Sequence, residues 1–259
     1  MFANADGYEL FMGRWSRVLA PALLEFARID DGWHILDVGS GTGSLALEIA
    51  KRKPGCRITG IDPSFEYVAY ASRRISNPAI LFEVGNAHRI AHPAGQFDAS
   101  LSLLAFNFVS DPHQALSELK RVTCPGGYIC AAVWDYGGRM DMLRKFWNAA
   151  VALDPGAEAA DERHMSLCCA GELRQLWTEA GLADVEEQPL EITTAFKSFD
   201  DYWQPFLAGQ GPAGAHVTRL SPERRLELRE KTKSLLPDHS KSGSFELAAR
   251  AWAVRGIVP

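Results

Sequence analysis

The sequence lacks the marks of a membrane protein, a nucleic-acid-binding protein and a disulfide-bonded protein. No apolar run approaches the roughly 20 residues that a membrane span requires, and 27 Lys and Arg stand against 32 Asp and Glu. Because affinity for nucleic acid rests on basic contacts with phosphate, a net charge of −5 disfavours that partner. The five cysteines show no C-x-x-C spacing, and the N-terminal residues have neither the basic nor the apolar segment of a secretory signal. These absences predict a cytoplasmic protein with reduced cysteines, no metal site, and no membrane or nucleic-acid partner.

The first half of the chain instead contains strand-like segments that alternate with helical ones. Apolar segments predict strands at residues 34–39, 57–62, 80–86, 97–106 and 126–136. Helices are expected between them, and Asp111 followed by Pro112 is typical of a helix N-terminus. This alternation predicts an α/β protein with a doubly wound, parallel sheet, whose binding crevice lies at the carboxyl ends of the strands. Two later strand-like segments, within 185–196 and 244–258, are expected to complete a mostly parallel seven-stranded sheet beneath helical caps.

A glycine-rich loop follows the first predicted strand, in the stretch DVGSGTGS (residues 37–44). Gly39, Gly41 and Gly43 are spaced G-x-G-x-G, whereas the dinucleotide-binding fingerprint is G-x-G-x-x-G. Asp37 lies two residues before the first glycine, and a carboxylate about 5 Å from a pyrophosphate would be repelled by roughly 3 kcal/mol at an effective dielectric near 20. The loop therefore favours a ligand that is cationic near the glycines and has no phosphate there.

A second carboxylate ends the second predicted strand, because Asp62 follows Gly43 by 19 residues. An acid in this place accepts hydrogen bonds from both hydroxyls of a ribose. A cationic group, a ribose diol and an adenine together describe S-adenosylmethionine, which becomes S-adenosylhomocysteine when its methyl group is transferred. An NAD(P)-dependent oxidoreductase is the alternative that Asp37 and the missing third glycine disfavour.

At residues 30–136 the chain resembles the class I S-adenosylmethionine-dependent methyltransferases, in their small-molecule type 11 or ubiquinone-biosynthesis-like branch. The motifs that carry the resemblance occur in order, as ILDVGSGTGSLA, GIDPS, VGNAHRI, FDASLSLLAFNFVSDP and LKRVTCPGGYICAAVWDY. The segment YELFMGRWSRVLAP also resembles the N-terminal helical lid of that branch. The resemblance implies a Rossmann-like methyltransferase fold.

The resemblance also implies a set of cofactor-binding residues. These are Asp37, Gly39, Ser40, Gly41 and Gly43 around the methionine moiety, Asp62, Pro63 and Ser64 around the ribose and adenosine, Asn86 and Ala87 at the adenine edge, Leu104, Ala105 and Phe106 beside the sulfonium, and Met12 and Trp15 in the lid. The family usually has Asp where this chain has Asn86. An amide oxygen still accepts a hydrogen bond from the adenine amino group but lacks the charge, so weaker binding is expected.

The chain is predicted to form a single methyltransferase domain over residues 1–259. Its parts are a helical lid at 1–30, the S-adenosylmethionine-binding core at 31–136, cap insertions at 137–169 and 197–243, and segments at 170–196 and 244–259 that complete the sheet.

The predicted activity is methyl transfer to a small organic acceptor, mainly through proximity and orientation, which supply roughly 7–11 kcal/mol of a barrier. No motif identifies a general base, and the Asn-Pro-Pro-Tyr box of amino-methyltransferases is absent from the sequence. The candidates for contact with the acceptor are Asn107, Asp135, Tyr136 and His216. A non-catalytic S-adenosylmethionine-binding sensor or partner module remains the other alternative.

Overall fold

A seven-stranded sheet in the order β3-β2-β1-β4-β5-β7-β6 organises the chain in a computed structural model that describes residues 5–237 and 243–259. The strands are β1 His34–Val38, β2 Arg57–Asp62, β3 Ile80–Val84, β4 Phe97–Leu103, β5 Thr123–Trp134, β6 Ala183–Phe196 and β7 Phe245–Ile257. Strands β1 to β5 are parallel, and β7 runs antiparallel to both β5 and β6. The predicted doubly wound, mostly parallel seven-stranded fold is confirmed.

Helices cover the sheet and its carboxyl edge. The α-helices are α1 Ala5–Tyr8, α2 Arg14–Ala27, α3 Ser44–Arg52, α4 Phe65–Arg74, α5 Pro112–Val122, α6 Asp141–Leu153, α7 Glu172–Glu179, α8 Phe199–Leu207, α9 Gly211–Arg219 and α10 Pro222–Leu235. A π-helix joins α1 to α2 at Glu9–Gly13, and 3₁₀ helices occupy Phe106–Phe108, Pro155–Ala160 and Glu162–His164. Among the described helices none is long and apolar enough to cross a membrane.

The strand order reverses between β2 and β4, which pair with opposite edges of β1. In an open α/β sheet this switch places a crevice outside the carboxyl ends of the strands. Ile35 and Leu101 are fully buried in the adjacent central strands, as expected for a parallel sheet covered on both faces. The fold therefore places the glycine loop and Asp62 beside the end of β4.

Local backbone conformation explains where the elements depart from their predicted bounds. Strand β4 ends at Leu103 and not at Phe106, because Leu104 has a φ of +62° and turns the chain out of the sheet. The helix at Asp111 begins as predicted, with the Asp111 side chain accepting a hydrogen bond from the backbone N–H of Gln114. The sequence pattern did not indicate the π-helix or α9 as separate elements.

The predicted division of the chain into lid, core, caps and closing strands stays a prediction. The predicted lid includes residues 1–4 and the second cap insertion includes residues 238–242, and both stretches lie outside the described residues.

Candidate functional site

A cavity of about 540 Å³ opens at the carboxyl ends of β1, β2 and β4 and beyond the end of β3. Nine of the residues predicted from the sequence line it: Gly39, Gly41, Asp62, Pro63, Ser64, Asn86, Ala87, Leu104 and Ala105. Asp37 and Ser40 line a small adjoining space that shares Tyr8, Gly39 and Gly41 with the cavity. The structure therefore brings together most of the residues that the sequence grouped.

Four of the predicted cofactor-binding residues line neither the cavity nor the adjoining space. Phe106 is fully buried with its ring against Trp177, and Trp15 packs against Phe196. Met12 is buried in the hydrophobic core, and Gly43 precedes α3 with a φ of +86°. These residues therefore belong to the structure that surrounds the cavity and not to its lining.

The glycine loop approaches the end of β4 too closely for a side chain. Gly39 has a φ of +71°, and a Cβ at this position would overlap the Cβ of Ala105. The backbone N–H groups of Gly39 and Ser40 donate to the carbonyl oxygen of Ile61 at 2.9 and 3.0 Å. The loop is thus held between β2 and β4 with its backbone facing the cavity.

The Asp62 carboxylate joins two elements of the site. One oxygen accepts a hydrogen bond from the Gly41 N–H at 3.0 Å, and the other accepts from the Ser64 N–H at 2.8 Å. Each carboxylate oxygen has a second lone pair, so the group retains acceptors for two further donors. Burial raises the pKa of Asp62, although the Ser64 and Gly41 N–H groups oppose that shift. The geometry fits the two hydroxyls of a ribose.

Asp37 is a buried carboxylate with no side-chain hydrogen bond and no ion pair among the described residues. Burial, followed by the charge of Asp62, raises the pKa of Asp37 to about 7, and the backbone N–H of Ala46 opposes the shift. An unpartnered buried carboxylate is costly unless an opposite charge or a donor reaches it. The adjoining space at the glycine loop therefore fits a ligand that presents an ammonium group.

Replacing Asp37 with asparagine is expected to stabilise the ligand-free protein at pH 8. The folded-state pKa lies above the usual value for Asp, so wild-type stability is lost as the pH rises from about 4 to about 7. Between pH 4 and pH 7 the unfolding free energy of the wild-type protein is therefore expected to fall by on the order of a few kcal/mol. That of Asp37→Asn should not show this fall, because the amide does not titrate. Urea unfolding of both proteins at pH 5 and pH 8 measures this, and an equal pH dependence would contradict it.

The Asn86 side-chain oxygen contacts His88. It accepts a hydrogen bond from the His88 backbone N–H at 2.9 Å and lies 2.8 Å from the His88 Nδ1. The His88 Nε2 in turn accepts from the Asp111 N–H at 3.1 Å, which places the ring proton on Nδ1. The expected contact between this oxygen and the adenine amino group therefore requires the His88 ring to turn away.

The lid contributes Tyr8 and Glu9 to the site, where the sequence predicted Met12 and Trp15. Tyr8 lines the cavity, and its ring contacts that of Tyr67 on α4, with ring centroids 5.5 Å apart. The Glu9 carboxylate accepts a hydrogen bond from the Thr42 hydroxyl in the glycine loop at 2.5 Å. It also pairs with Arg17 and with Arg74, the last residue of α4. Glu9 thus connects the lid to both the glycine loop and α4.

Replacing Gly13 with alanine is expected to separate the lid from the glycine loop. Alanine is favoured over glycine in helices by roughly 1 kcal/mol, but a Cβ at Gly13 would lie 2.7 Å from the Glu9 Oε1. We expect S-adenosylhomocysteine to bind about tenfold more weakly, or ~1.4 kcal/mol, without loss of fold stability, as calorimetry and urea unfolding measure. Glu9→Ala should reproduce the loss, and the double variant should add nothing further. Additive losses would show that Gly13 does not act through Glu9.

None of the predicted acceptor-contacting residues lines the cavity. The Asp135 carboxylate is occupied by Arg250, whose Nε lies 2.8 Å away, and by the N–H groups of Gly138 and Arg139. Asn107 and Tyr136 are buried, and His216 packs against Trp147 with ring centroids 5.5 Å apart.

Comparison with known proteins gives a family match over the same strands. The family described as "Methyltransferase domain" matches residues 36–131. The chain is 37% identical over 144 residues to a demethylmenaquinone methyltransferase of Deinococcus radiodurans, covering 49% of this chain and 56% of that protein. It is 27% identical over 185 residues to a malonyl-[acyl-carrier protein] O-methyltransferase of Geobacter sulfurreducens, covering 71% and 68%.

A solved structure shares the fold over most of both chains. The putative methyltransferase from Bacillus halodurans superposes with a TM-score of 0.62 at 15% identity, covering 93% of this chain and 98% of that one. The matched stretch spans about half the length of several curated relatives, at 50%, 56% and 51%.

The sheet order, the glycine loop and the acid that ends β2 define a class I, Rossmann-like S-adenosylmethionine-dependent methyltransferase domain. Within that class, residues 36–131 match the type 11 methyltransferase domain, and this match supports S-adenosylmethionine as the cofactor. The family match favours this cofactor over the nicotinamide alternative that the glycine spacing left open.

Proposed function

We propose that this protein transfers the methyl group of S-adenosylmethionine to a small organic acceptor. The observation that carries the proposal is Asp37, a buried carboxylate without a paired cation in the described part of the chain, next to the glycine loop. Such a group attracts the ammonium of an amino-acid moiety and repels a pyrophosphate. This charge preference separates S-adenosylmethionine from a dinucleotide.

Each part of the cofactor finds a complementary group in the cavity. Asp37 receives the ammonium group, Asp62 receives the ribose hydroxyls, and the segment at Asn86 and Ala87 lies at the adenine end. Tyr8 from the lid and Tyr67 from α4 contact each other and line the cavity. When bound, S-adenosylmethionine supplies an activated methyl group whose bond to sulfur breaks as the bond to the acceptor forms, with the electron pair remaining on sulfur.

The volume of the cavity, about 540 Å³, lies within the range of pockets for single ligands or cofactors. Rate enhancement would come mainly from holding the nucleophile in line with the methyl group and excluding water. A non-catalytic binding module is the second candidate, because the residues predicted to contact the acceptor lie off the cavity surface.

Calorimetric titration with S-adenosylhomocysteine, NAD and NADH tests the cofactor. We expect micromolar binding of S-adenosylhomocysteine and none of the nicotinamides. Binding of NADH without S-adenosylhomocysteine would overturn the proposal. Methyl transfer from labelled S-adenosylmethionine to a panel of phenols, amines and carboxylic acids then separates an enzyme from a binding module, since only an enzyme yields labelled product.

A further inference from the structure

A buried polar cluster lies beneath the caps, and it contains a carboxylate that sequence reasoning missed. Glu162 is 4% exposed and belongs to the 3₁₀ helix Glu162–His164. Its carboxylate accepts a hydrogen bond from the indole N–H of Trp147 on α6. Together with Asn107, Tyr136 and Gln210, these residues are here called the Glu162 cluster.

Glu162 forms no ion pair with the two arginines nearest to it. Arg144 and Arg163 both bind the adjacent Asp161, at 3.2 Å from the Arg144 Nη1 and 2.7 Å from the Arg163 Nε. Burial raises the pKa of Glu162 to about 7; the Trp147 hydrogen bond and Arg144 oppose the shift, and the charge of Asp161 adds to it. The carboxylate is thus buried without a paired cation in the described part of the chain.

Two further oxygen acceptors of the cluster are buried and have no donor within residues 5–237 and 243–259. They are the side-chain oxygens of Asn107 and Gln210, in residues that are 7% and 5% exposed. Both residues adjoin the helix of Glu162. The Asn107 amide nitrogen contacts Met165, whose backbone N–H donates to the Glu162 carbonyl oxygen at 3.0 Å. On the other side, a Cβ on Gly211, the residue after Gln210, would lie 4.0 Å from the Glu162 Oε1.

The cluster adjoins the cavity beyond the end of β4. Asn107 lies between Ala105 and Phe108, two residues that line the cavity after the end of β4. Tyr136 follows β5, the neighbour of β4 in the sheet. Burial raises the pKa of the Tyr136 hydroxyl, and Glu162 and the cavity residue Tyr8 raise it further. Tyr136 is thus buried close enough to Glu162 and Tyr8 for their charges to affect its hydroxyl.

Among the described residues, those that line the cavity offer no cation to an anionic acceptor. The residues that line the cavity include no Lys or Arg. Of the arginines around it, Arg14 pairs with Asp201 at 2.8 Å and Arg250 pairs with Asp135 at 2.5 Å. A carboxylate or a phosphate at the Glu162 cluster would meet another carboxylate and two unpartnered oxygens.

We propose that the Glu162 cluster is the acceptor subsite and that the acceptor presents an amine or a hydroxyl to it, not a carboxylate or a phosphate. A protonated amine pairs with the Glu162 carboxylate, and donor hydrogens satisfy the Asn107 and Gln210 oxygens. The inference rests on the proposed methyl transfer, because the cluster gains this role only if the cofactor occupies the adjoining cavity.

Three probes of equal size test the proposal on the protein saturated with S-adenosylhomocysteine: benzylamine, benzyl alcohol and benzoate. The indole N–H resonance of Trp147, assigned with Trp147→Phe, reports on the cluster because it donates to Glu162. We expect benzylamine and benzyl alcohol to shift this resonance saturably, and benzoate to leave it unchanged. Glu162→Gln, which retains an oxygen acceptor for the indole, should weaken benzylamine binding about tenfold.

The control variant is Glu179→Gln, which makes the same chemical change at an exposed residue on α7. It should bind all probes as the wild type does. Asn107→Ala removes a second oxygen acceptor of the cluster and should also weaken benzylamine binding. Unchanged S-adenosylhomocysteine affinity verifies that each variant is folded. Benzoate binding as strongly as benzylamine, no shift with any probe, or unchanged benzylamine affinity in Glu162→Gln would each overturn the inference. Failure of the wild type to bind S-adenosylhomocysteine would instead overturn the proposed function.

Discussion

Replacing Gly39 with alanine is expected to weaken S-adenosylhomocysteine binding by about 100-fold or more and to destabilise the fold. The φ of +71° costs a non-glycine residue about 1–2 kcal/mol. The new methyl group would also overlap the Ala105 Cβ at the end of β4, and overpacking costs a further 1–3 kcal/mol or so. We expect the unfolding free energy to fall by about 2–5 kcal/mol, as urea unfolding measures.

The loss of binding has a separate cause. Gly39 and Ser40 donate backbone hydrogen bonds to Ile61, so moving Gly39 away from Ala105 shifts the loop against β2 as well. The N–H of Gly41 would then lose its position on Asp62. Affinity for S-adenosylhomocysteine is therefore expected to fall by about 100-fold or more, close to 3 kcal/mol, as calorimetry measures.

Gly32→Ala provides the matched control. Gly32 has a φ of +87°, but no atom lies within 4 Å of a Cβ placed there. This variant should show the backbone strain of about 1–2 kcal/mol alone and bind S-adenosylhomocysteine as the wild type does. Equal losses in the two variants would show that the contact with Ala105 has no role.

The sheet and the loop could be predicted because their signals are local. A buried strand followed by closely spaced glycines, and an acid at the end of the next strand, depend on neighbours in sequence. Parallel strands then bring Gly39, Asp62 and Asn86 to one edge of the sheet, wherever the helices pack. The family match and the strand order confirm the fold, while the roles of the individual residues stay predictions.

The lid and the acceptor side depend on tertiary packing that no local pattern encodes. The lid contains a π-helix over Glu9–Gly13. Tyr8 lines the cavity, Glu9 contacts the Thr42 hydroxyl, and Trp15 is buried in the core. The insertion of an extra residue per turn gives no periodic signal in a segment this short. Glu162 lies in a stretch without clear periodicity, and only its burial beside Trp147 distinguishes it from the other acidic residues.

Replacing Asp62 with alanine is expected to weaken S-adenosylhomocysteine binding by at least 100-fold. The carboxylate would accept two ribose hydroxyls, and a hydrogen bond to a charged group contributes about 1.5–3 kcal/mol. It also holds the Gly41 N–H at 3.0 Å and the Ser64 N–H at 2.8 Å, so its loss releases the glycine loop and the N-terminus of α4. Calorimetry with wild type, Asp62→Asn and Asp62→Ala should give successively weaker affinities, because the amide keeps one oxygen and no charge.

Two ligands separate the contact with the ribose from the support of the loop. Wild type should prefer 5′-methylthioadenosine over its 2′-deoxy analogue, since only the former presents the full diol to Asp62. In Asp62→Ala this preference should disappear, whereas general loosening of the loop would weaken both ligands equally and preserve it. If the preference survives in Asp62→Ala, another group must bind the 2′-hydroxyl of the ribose. Asp62 would then act only by holding the backbone N–H groups of Gly41 and Ser64.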